Sequence, residues 1–130
     1  MDKKVYYKYM FIIGAFWNWI LSVSFIILSI VDDTIFATFG ITKPPTLFFL
    51  HALLILIFTF GIGYFIVGRD IDNNSGIVIL GIISKLAYFG CNLIYLFIGE
   101  LTLVFVVLAF GDFVFAMLFI EFMLNYEQQK

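Results

Sequence analysis

The sequence predicts an all-α fold, an integral membrane four-helix bundle with both termini cytoplasmic. Hydrophobic residues make up 64% of the 130 residues, charged residues make up only 12%, and the mean hydropathy is +1.13. A soluble domain carries about 25% charged residues, so this chain lacks the polar surface that such a domain needs. Four apolar stretches are also each close to the ~20 residues that cross a ~30 Å hydrocarbon core.

The four predicted spans form one transmembrane domain, residues 1–130. They cover approximately 9–31, 46–67, 76–98 and 101–123. The first span is too long for a signal peptide and has no small-residue cleavage site after it. The third span follows a short polar loop rich in turn residues. The fourth follows a tight turn at Glu100.

The positive charges predict the orientation of the bundle. Most of them fall at one end of the predicted spans: Lys3, Lys4, Lys8, Arg69 and Lys130. The opposite end has only Lys43. Because cytoplasmic segments carry an excess of Lys and Arg, both termini and the loop around Arg69 are expected in the cytoplasm. The net charge of −2 gives no support for a nucleic-acid partner.

Lys85 and Asp112 are formal charges deep inside the third and fourth predicted spans. An ionisable side chain at bilayer depth costs roughly 2.5–3.5 kcal/mol on insertion scales and normally faces the protein interior with a partner. At 1.5 Å per residue, the two positions differ in depth by only about 3 Å. Asn18 lies at a similar depth in the first span. We therefore expect Asn18, Lys85 and Asp112 to share one buried polar centre.

Tyr88 is assigned to the same centre because it lies on the helix face of Lys85, one turn further along. In the second span a comparable line runs through His51, Thr59 and Gly63. Small and polar residues on one face are typical of membrane helices that face the interior of a bundle. Such a face is consistent with a binding site and equally with plain helix packing.

A second, outer cluster is predicted from His51, Asn92 and Glu100, which lie near the outer ends of their spans. This cluster can bind a ligand head group or carry protons; alternatively, His51 is an interfacial histidine bonded to a neighbour. One His without a second His or a nearby Cys argues against haem or zinc, so no cofactor or metal is expected. Cys91 is the only cysteine, which excludes a disulfide within the chain.

On the cytoplasmic side, Arg69 and Asp70 are expected to anchor the helix end at the phosphate layer of the membrane. The loop that contains them is short and polar, and its later residues are suited to capping the third helix. A phosphate-binding role has little support because no glycine-rich nucleotide loop is present.

Several short motifs resemble a group of small bacterial inner-membrane proteins with four helices and no established activity. The motifs are Trp17-Asn18, the run from Gly61 to Asp70, Gly76 to Gly81, Lys85-Leu86, Gly111-Asp112, Phe115-Ala116 and Leu118-Phe119. The resemblance spans most of the chain. It implies a four-helix bacterial inner-membrane protein in which Arg69, Lys85 and Asp112 stand in recognisable contexts. It implies nothing about catalysis.

Two hypotheses for function remain from the sequence. In the first, the polar centre binds or transports a lipid-like or amphipathic small molecule, with membrane lipid as the surrounding partner. In the second, the chain is a non-catalytic structural or accessory subunit, in which the Lys85–Asp112 pair fixes helix packing within a homo-oligomer or against another membrane protein. An enzyme ranks third and no catalytic residue is assigned, because no acid–base or nucleophile set has a specific spacing.

Overall fold

A computed structural model of the chain describes residues 2–129. Met1 and Lys130 lie outside the described residues. The prediction that Lys130 lies at the cytoplasmic end therefore falls on a residue that is not described. The described chain is all-helical, without a strand. Its elements are α1 (Lys3–Val31), α2 (Thr34–Thr38), α3 (Phe48–Arg69), α4 (Ser75–Ile98), α5 (Leu103–Asn125) and a short 3₁₀ turn (Glu127–Gln129). By length and composition, α1, α3, α4 and α5 can each cross a membrane.

The observed helix ends follow from local chemistry. α1 begins at Lys3 rather than near residue 9, because the Asp2 carboxylate caps it by accepting from the Lys4 amide at 3.1 Å. α4 ends at Ile98, the same residue as the predicted span, because Gly99 caps it with a φ of 90°, a left-handed conformation that glycine adopts without strain. The short helix α2 was not predicted, and it lies in what the sequence presented as a loop.

The four long helices alternate in direction, so that one end of the bundle contains the start of α1, the end of α5 and the α3–α4 loop. Lys4 in α1 forms an ion pair with Asp72 of that loop at 2.6 Å, and the Tyr126 hydroxyl donates to Asp72 at 2.8 Å. We call the end of the bundle that contains the α3–α4 loop the terminal end. The other end, which contains α2 and the α4–α5 turn, is the α2 end.

A densely packed core fills the half of the bundle nearest the terminal end. Aromatic rings from three helices meet there: Phe11 stacks on Phe119 with centroids 4.7 Å apart, and Tyr64 meets Phe119 edge-on at 5.0 Å. The fully buried residues of this core include Phe11, Tyr64, Val67, Val78, Phe119 and Phe122. Because these side chains are fully buried and packed against one another, the terminal half of the bundle has a closed, apolar interior.

Candidate functional site

A hydrogen-bonded polar centre lies where the packed core ends. The Lys85 ammonium donates to Oδ1 of Asp112 at 2.6 Å and to Oδ1 of Asn18 at 3.2 Å. The three residues belong to α4, α5 and α1. They are the same three residues that the sequence predicts at a similar depth in the membrane-spanning segments. The lysine therefore joins three helices through two oxygen acceptors.

The ion pair faces the interior of the bundle. The Lys85 side chain is 4% exposed and the Asp112 side chain 15%. By contrast, many apolar side chains on the outer surfaces of the same helices are exposed. The Lys85 ammonium also lies 5.2 Å from the ring centroid of Tyr64 and 5.6 Å from that of Phe115. Aromatic faces at this distance attract a cation, so the rings add to the stabilisation of the buried charge.

Asn18 ties this centre to α3 as well. Its side-chain amide donates to the Ile57 carbonyl at 3.0 Å, and the neighbouring Trp19 indole donates to the Phe58 carbonyl at 3.2 Å. These bonds need a close approach of α1 to α3. Gly61 permits it, because a Cβ there would lie 2.6 Å from the Trp19 ring and 3.2 Å from the Ala15 carbonyl oxygen.

A cavity of about 360 Å³ opens on the α2 side of the polar centre. Its floor contains Asn18, Lys85 and Asp112, together with Tyr64, Ser84 and Tyr88. Its walls are apolar and come from α1, α3 and α5: Leu21, Phe25, Leu50, Leu53, Leu54, Leu56, Ile57, Phe60, Phe105, Leu108 and Ala109. Pockets of roughly 300–1,000 Å³ with apolar walls and a few convergent polar groups are typical of small-molecule sites.

The short helix α2 contributes the far wall of the cavity. Ile35 and Phe36 of α2 and the next residue after the helix, Phe39, line it, and Phe36 is only 5% exposed. The α2 segment is tied to the start of α5, because the Thr102 hydroxyl donates to the Phe39 carbonyl at 2.6 Å. The cavity therefore extends between a polar floor and an apolar, helical cover.

Some polar atoms that line the cavity have no protein partner among the described residues. Only Oδ1 of Asp112 is hydrogen-bonded, which leaves Oδ2 as a free acceptor. The hydroxyl groups of Tyr64 and Ser84 also have no hydrogen bond to another described group, although Tyr64 is fully buried. All three groups belong to residues that line the cavity, so they are available to a bound molecule.

The residues of the predicted outer cluster bond to separate neighbours. The His51 ring nitrogen Nε2 lies 2.9 Å from the Ser29 hydroxyl, which joins α3 to α1. Asn92 is buried and donates to the Tyr88 carbonyl of its own helix at 2.8 Å. Glu100 is exposed. No hydrogen bond links these three residues to one another, so the structure matches the alternative in which His51 is bonded to a neighbour.

At the terminal end, Arg69 and Asp70 are both exposed. The Asp70 carboxylate accepts from the Asn73 side chain at 3.0 Å, and its carbonyl accepts from the Asn74 side chain at 2.6 Å. Asp70 therefore shapes the α3–α4 loop. Arg69 lines a small surface pocket with Lys4 and Lys8.

The sequence did not predict how α3 contributes to the site. Tyr64 was not assigned to the polar centre, and the line drawn through His51, Thr59 and Gly63 does not describe the buried face of α3. Thr59 is exposed and its hydroxyl bonds to the Ile55 carbonyl of its own helix. The spacing of Gly61 and Gly68, both buried against α1, was the signal for the correct face.

No protein-family profile matches the chain, and no match was found among the curated proteins or the solved structures. The geometry of the site therefore supplies the argument for function.

Proposed function

We propose that this chain is an integral membrane protein that binds, or transports, a lipid-like or amphipathic small molecule in the cavity above Lys85 and Asp112. One observation carries this proposal: a buried ion pair forms the floor of a cavity of about 360 Å³ whose walls are otherwise apolar. A polar end and an apolar body in the ligand would match these two regions. The proposed site requires no cofactor and no metal.

The proposed setting is a membrane with both termini in the cytoplasm, and the resemblance noted above favours the bacterial inner membrane. Four helices have the length and hydropathy to cross a bilayer. Lys4, Lys8 and Arg69 all lie at the terminal end. An excess of Lys and Arg favours the cytoplasmic side, so the α2 end would face outward.

Cysteine labelling tests this orientation. A Pro44→Cys change in a Cys91→Ser background places one thiol at the α2 end, and an Asn73→Cys change in the same background places one at the terminal end. An impermeant maleimide added outside intact cells should modify the first thiol and leave the second unmodified. Labelling of Asn73→Cys alone would reverse the proposed orientation.

The binding proposal is tested by what the protein retains when it is extracted with its native lipid. Ala109 is 3% exposed and lies in the cavity wall one turn from Asp112, so Ala109→Phe should fill the cavity. Ala87 is exposed on α4, and Ala87→Phe is the matched control on the outer surface. Mass spectrometry should find an amphiphile with the natural protein and with Ala87→Phe, at several-fold lower occupancy in Ala109→Phe. Equal recovery from all three proteins would refute binding in the cavity.

A second candidate function is a non-catalytic accessory subunit, and the geometry of the pair supports it independently. Lys85 joins α4 to α5 and, through Asn18, to α1 and α3. In this case the pair would fix the order of the helices, and the outer surface would contact a second copy of the chain or another membrane protein. The apolar cavity has no purpose under this hypothesis, so we favour binding.

A further inference from the structure

We infer that the cavity selects an amphiphile with an uncharged hydroxyl head group, bound against Asp112 and Tyr64 with its apolar chain directed toward the α2 end. This inference rests on the proposed binding function and specifies the chemical class of the ligand. It depends on the charge balance at the floor, on the free hydrogen-bonding atoms there, and on the shape of the cavity above them.

The charge balance disfavours an ionised head group. The ammonium of Lys85 and the carboxylate of Asp112 are in direct contact, so their formal charges cancel within the floor of the cavity. An anionic head would leave a net negative charge beside these apolar walls, and a cationic head would leave a net positive one. An uncompensated charge out of water is costly, whereas an uncharged head keeps the site neutral.

The free hydrogen-bonding atoms favour a group that both donates and accepts. The oxygens of the Asp112 carboxylate can only accept, and Oδ2 is the free one because the Lys85 ammonium bonds to Oδ1. The Tyr64 hydroxyl has no hydrogen-bond partner among residues 2–129 and can donate. A ligand hydroxyl can donate to Oδ2 and accept from Tyr64 at once. An ether or ester oxygen cannot donate, so it would leave Oδ2 without a partner.

The shape of the cavity sets the direction of the apolar chain. Toward the terminal end the packed aromatic core blocks any extension, since Phe11, Tyr64 and Phe119 are fully buried against one another. Toward the α2 end the lining of α1 runs from Asn18 to Ser29, about 16 Å at 1.5 Å per residue. The polar atoms of Ser29 are already engaged by His51 and by its own helix, so this length presents a largely apolar wall.

Three probes with the same chain and different heads test the inference: decan-1-ol, decane-1-sulfonate and decylamine. Each is added at the same membrane mole fraction to the full-length protein in lipid nanodiscs, and retention is measured by native mass spectrometry. Decan-1-ol should bind about tenfold more tightly than either charged probe. Ala109→Phe should abolish specific retention of all three, which separates cavity binding from partition into the lipid.

Two variants identify the source of the selectivity. Asp112→Asn leaves the Lys85 charge without its counter-ion, so the preference should change from decan-1-ol to decane-1-sulfonate. Tyr64→Phe removes one hydrogen bond without altering the charge, so decan-1-ol should bind several-fold more weakly while it remains preferred over both ions. The second variant retains its ring packing and still tests the inference if Asp112→Asn fails to fold.

The outcomes distinguish the two levels of the proposal. If the sulfonate or the amine binds the natural protein more tightly than the alcohol and Ala109→Phe abolishes that binding, the cavity is a ligand site and the hydroxyl inference is wrong. If the natural protein and Ala109→Phe retain all three probes equally, the cavity binds none of them specifically, and the proposed function fails together with the inference.

Discussion

The Nζ atom of Lys85 lies 2.6 Å from Oδ1 of Asp112, and this ion pair marks the boundary between two halves of the bundle. On the terminal side, aromatic residues such as Phe119 and Phe122 pack without exposure. On the α2 side lies a cavity of about 360 Å³. Charges at such a boundary are shielded from the outer surface of the bundle by the surrounding helices, yet they remain accessible to a molecule inside the cavity.

Removing one partner of the pair should destabilise the bundle. A buried charge without its partner typically costs about 3–5 kcal/mol, because its desolvation is no longer compensated. Lys85→Met and Asp112→Leu should therefore each lower the thermal unfolding midpoint in detergent. The double variant should recover most of the loss, since both desolvation penalties disappear together.

The double variant also separates assembly from binding. If the pair only fixes helix packing, the recovered protein should retain the amphiphile or cellular phenotype of the natural chain. If the pair forms a binding floor, the double variant should fold and lose that property, which is the outcome we expect. Unchanged midpoints in both single variants would contradict the energetic role of the pair itself.

Asn18→Ala should cost more stability than Ser22→Ala, although both residues are buried on α1. Asn18 accepts from Lys85 and donates to the Ile57 carbonyl of α3, so its removal breaks two contacts between helices. Ser22 bonds only to carbonyls of its own helix, those of Asn18 and Trp19. We expect a loss of about 1–3 kcal/mol for Asn18→Ala.

Reversible unfolding in mixed detergent measures both changes. Ser22→Ala controls for the loss of a buried polar side chain at a neighbouring turn, and its effect should be close to zero. Equal effects from the two variants would show that the bonds of Asn18 to other helices add nothing to stability.

Much of the polar centre was accessible from the sequence because a buried charge is conspicuous in an apolar helix. Lys85 and Asp112 each interrupt a hydrophobic run, and counting residues from the helix ends placed them and Asn18 at one depth. Tyr64 offered no such contrast. α3 is apolar on nearly every side, so hydrophobic periodicity could not orient it, and only the seven-residue spacing of Gly61 and Gly68 marked the face against α1.

The cavity and α2 could not be predicted in the same way. A cavity is space that side chains leave unfilled, and it depends on how far apart the helix pairs lie rather than on any residue pattern. α2 is a helix of only 5 residues, too short for a periodic signal. Contacts between distant parts of the chain hold it, including the bond from Thr102 to the Phe39 carbonyl.

Acid should loosen the start of α2. The Thr34 hydroxyl and the Thr34 amide both donate to the Asp32 carboxylate. These two bonds, of which the hydroxyl bond has the larger effect, lower the pKa of Asp32 below its ordinary value of 3.8. A carboxyl group with a lowered pKa stabilises the folded state at neutral pH, and this contribution is lost as the pH falls through the folded-state value. Hydrogen exchange in Thr34–Thr38 should therefore increase, relative to the intrinsic rate, below about pH 4.

Asp32→Asn is the control for this acid sensitivity. Its side chain keeps an oxygen that can accept from Thr34 but does not titrate in this range. Protection of Thr34–Thr38 in the variant should therefore depend less on pH than in the natural protein. The same pH dependence in both proteins would assign the loosening to other carboxyl groups.

Gly61→Ala should separate α1 from α3, whereas Gly90→Ala should be tolerated. A Cβ at Gly61 would lie 2.6 Å from the Trp19 ring and 3.2 Å from the Ala15 carbonyl, and the latter is backbone that cannot rotate away. Overpacking of this kind costs about 1–3 kcal/mol. A Cβ at Gly90 meets nothing within 4 Å, so Ala there should be neutral or stabilise α4 by up to about 1 kcal/mol.

The two glycine variants make the same chemical change in a long helix, so their difference reports the close approach alone. Separation of α1 from α3 should also weaken the bonds from Asn18 to the Ile57 carbonyl and from Trp19 to the Phe58 carbonyl. Tryptophan fluorescence should therefore shift in Gly61→Ala and stay unchanged in Gly90→Ala, in parallel with their unfolding midpoints. A Gly61→Ala protein as stable as the natural one, with unaltered fluorescence, would show that α1 and α3 do not need this contact to hold the floor of the cavity together.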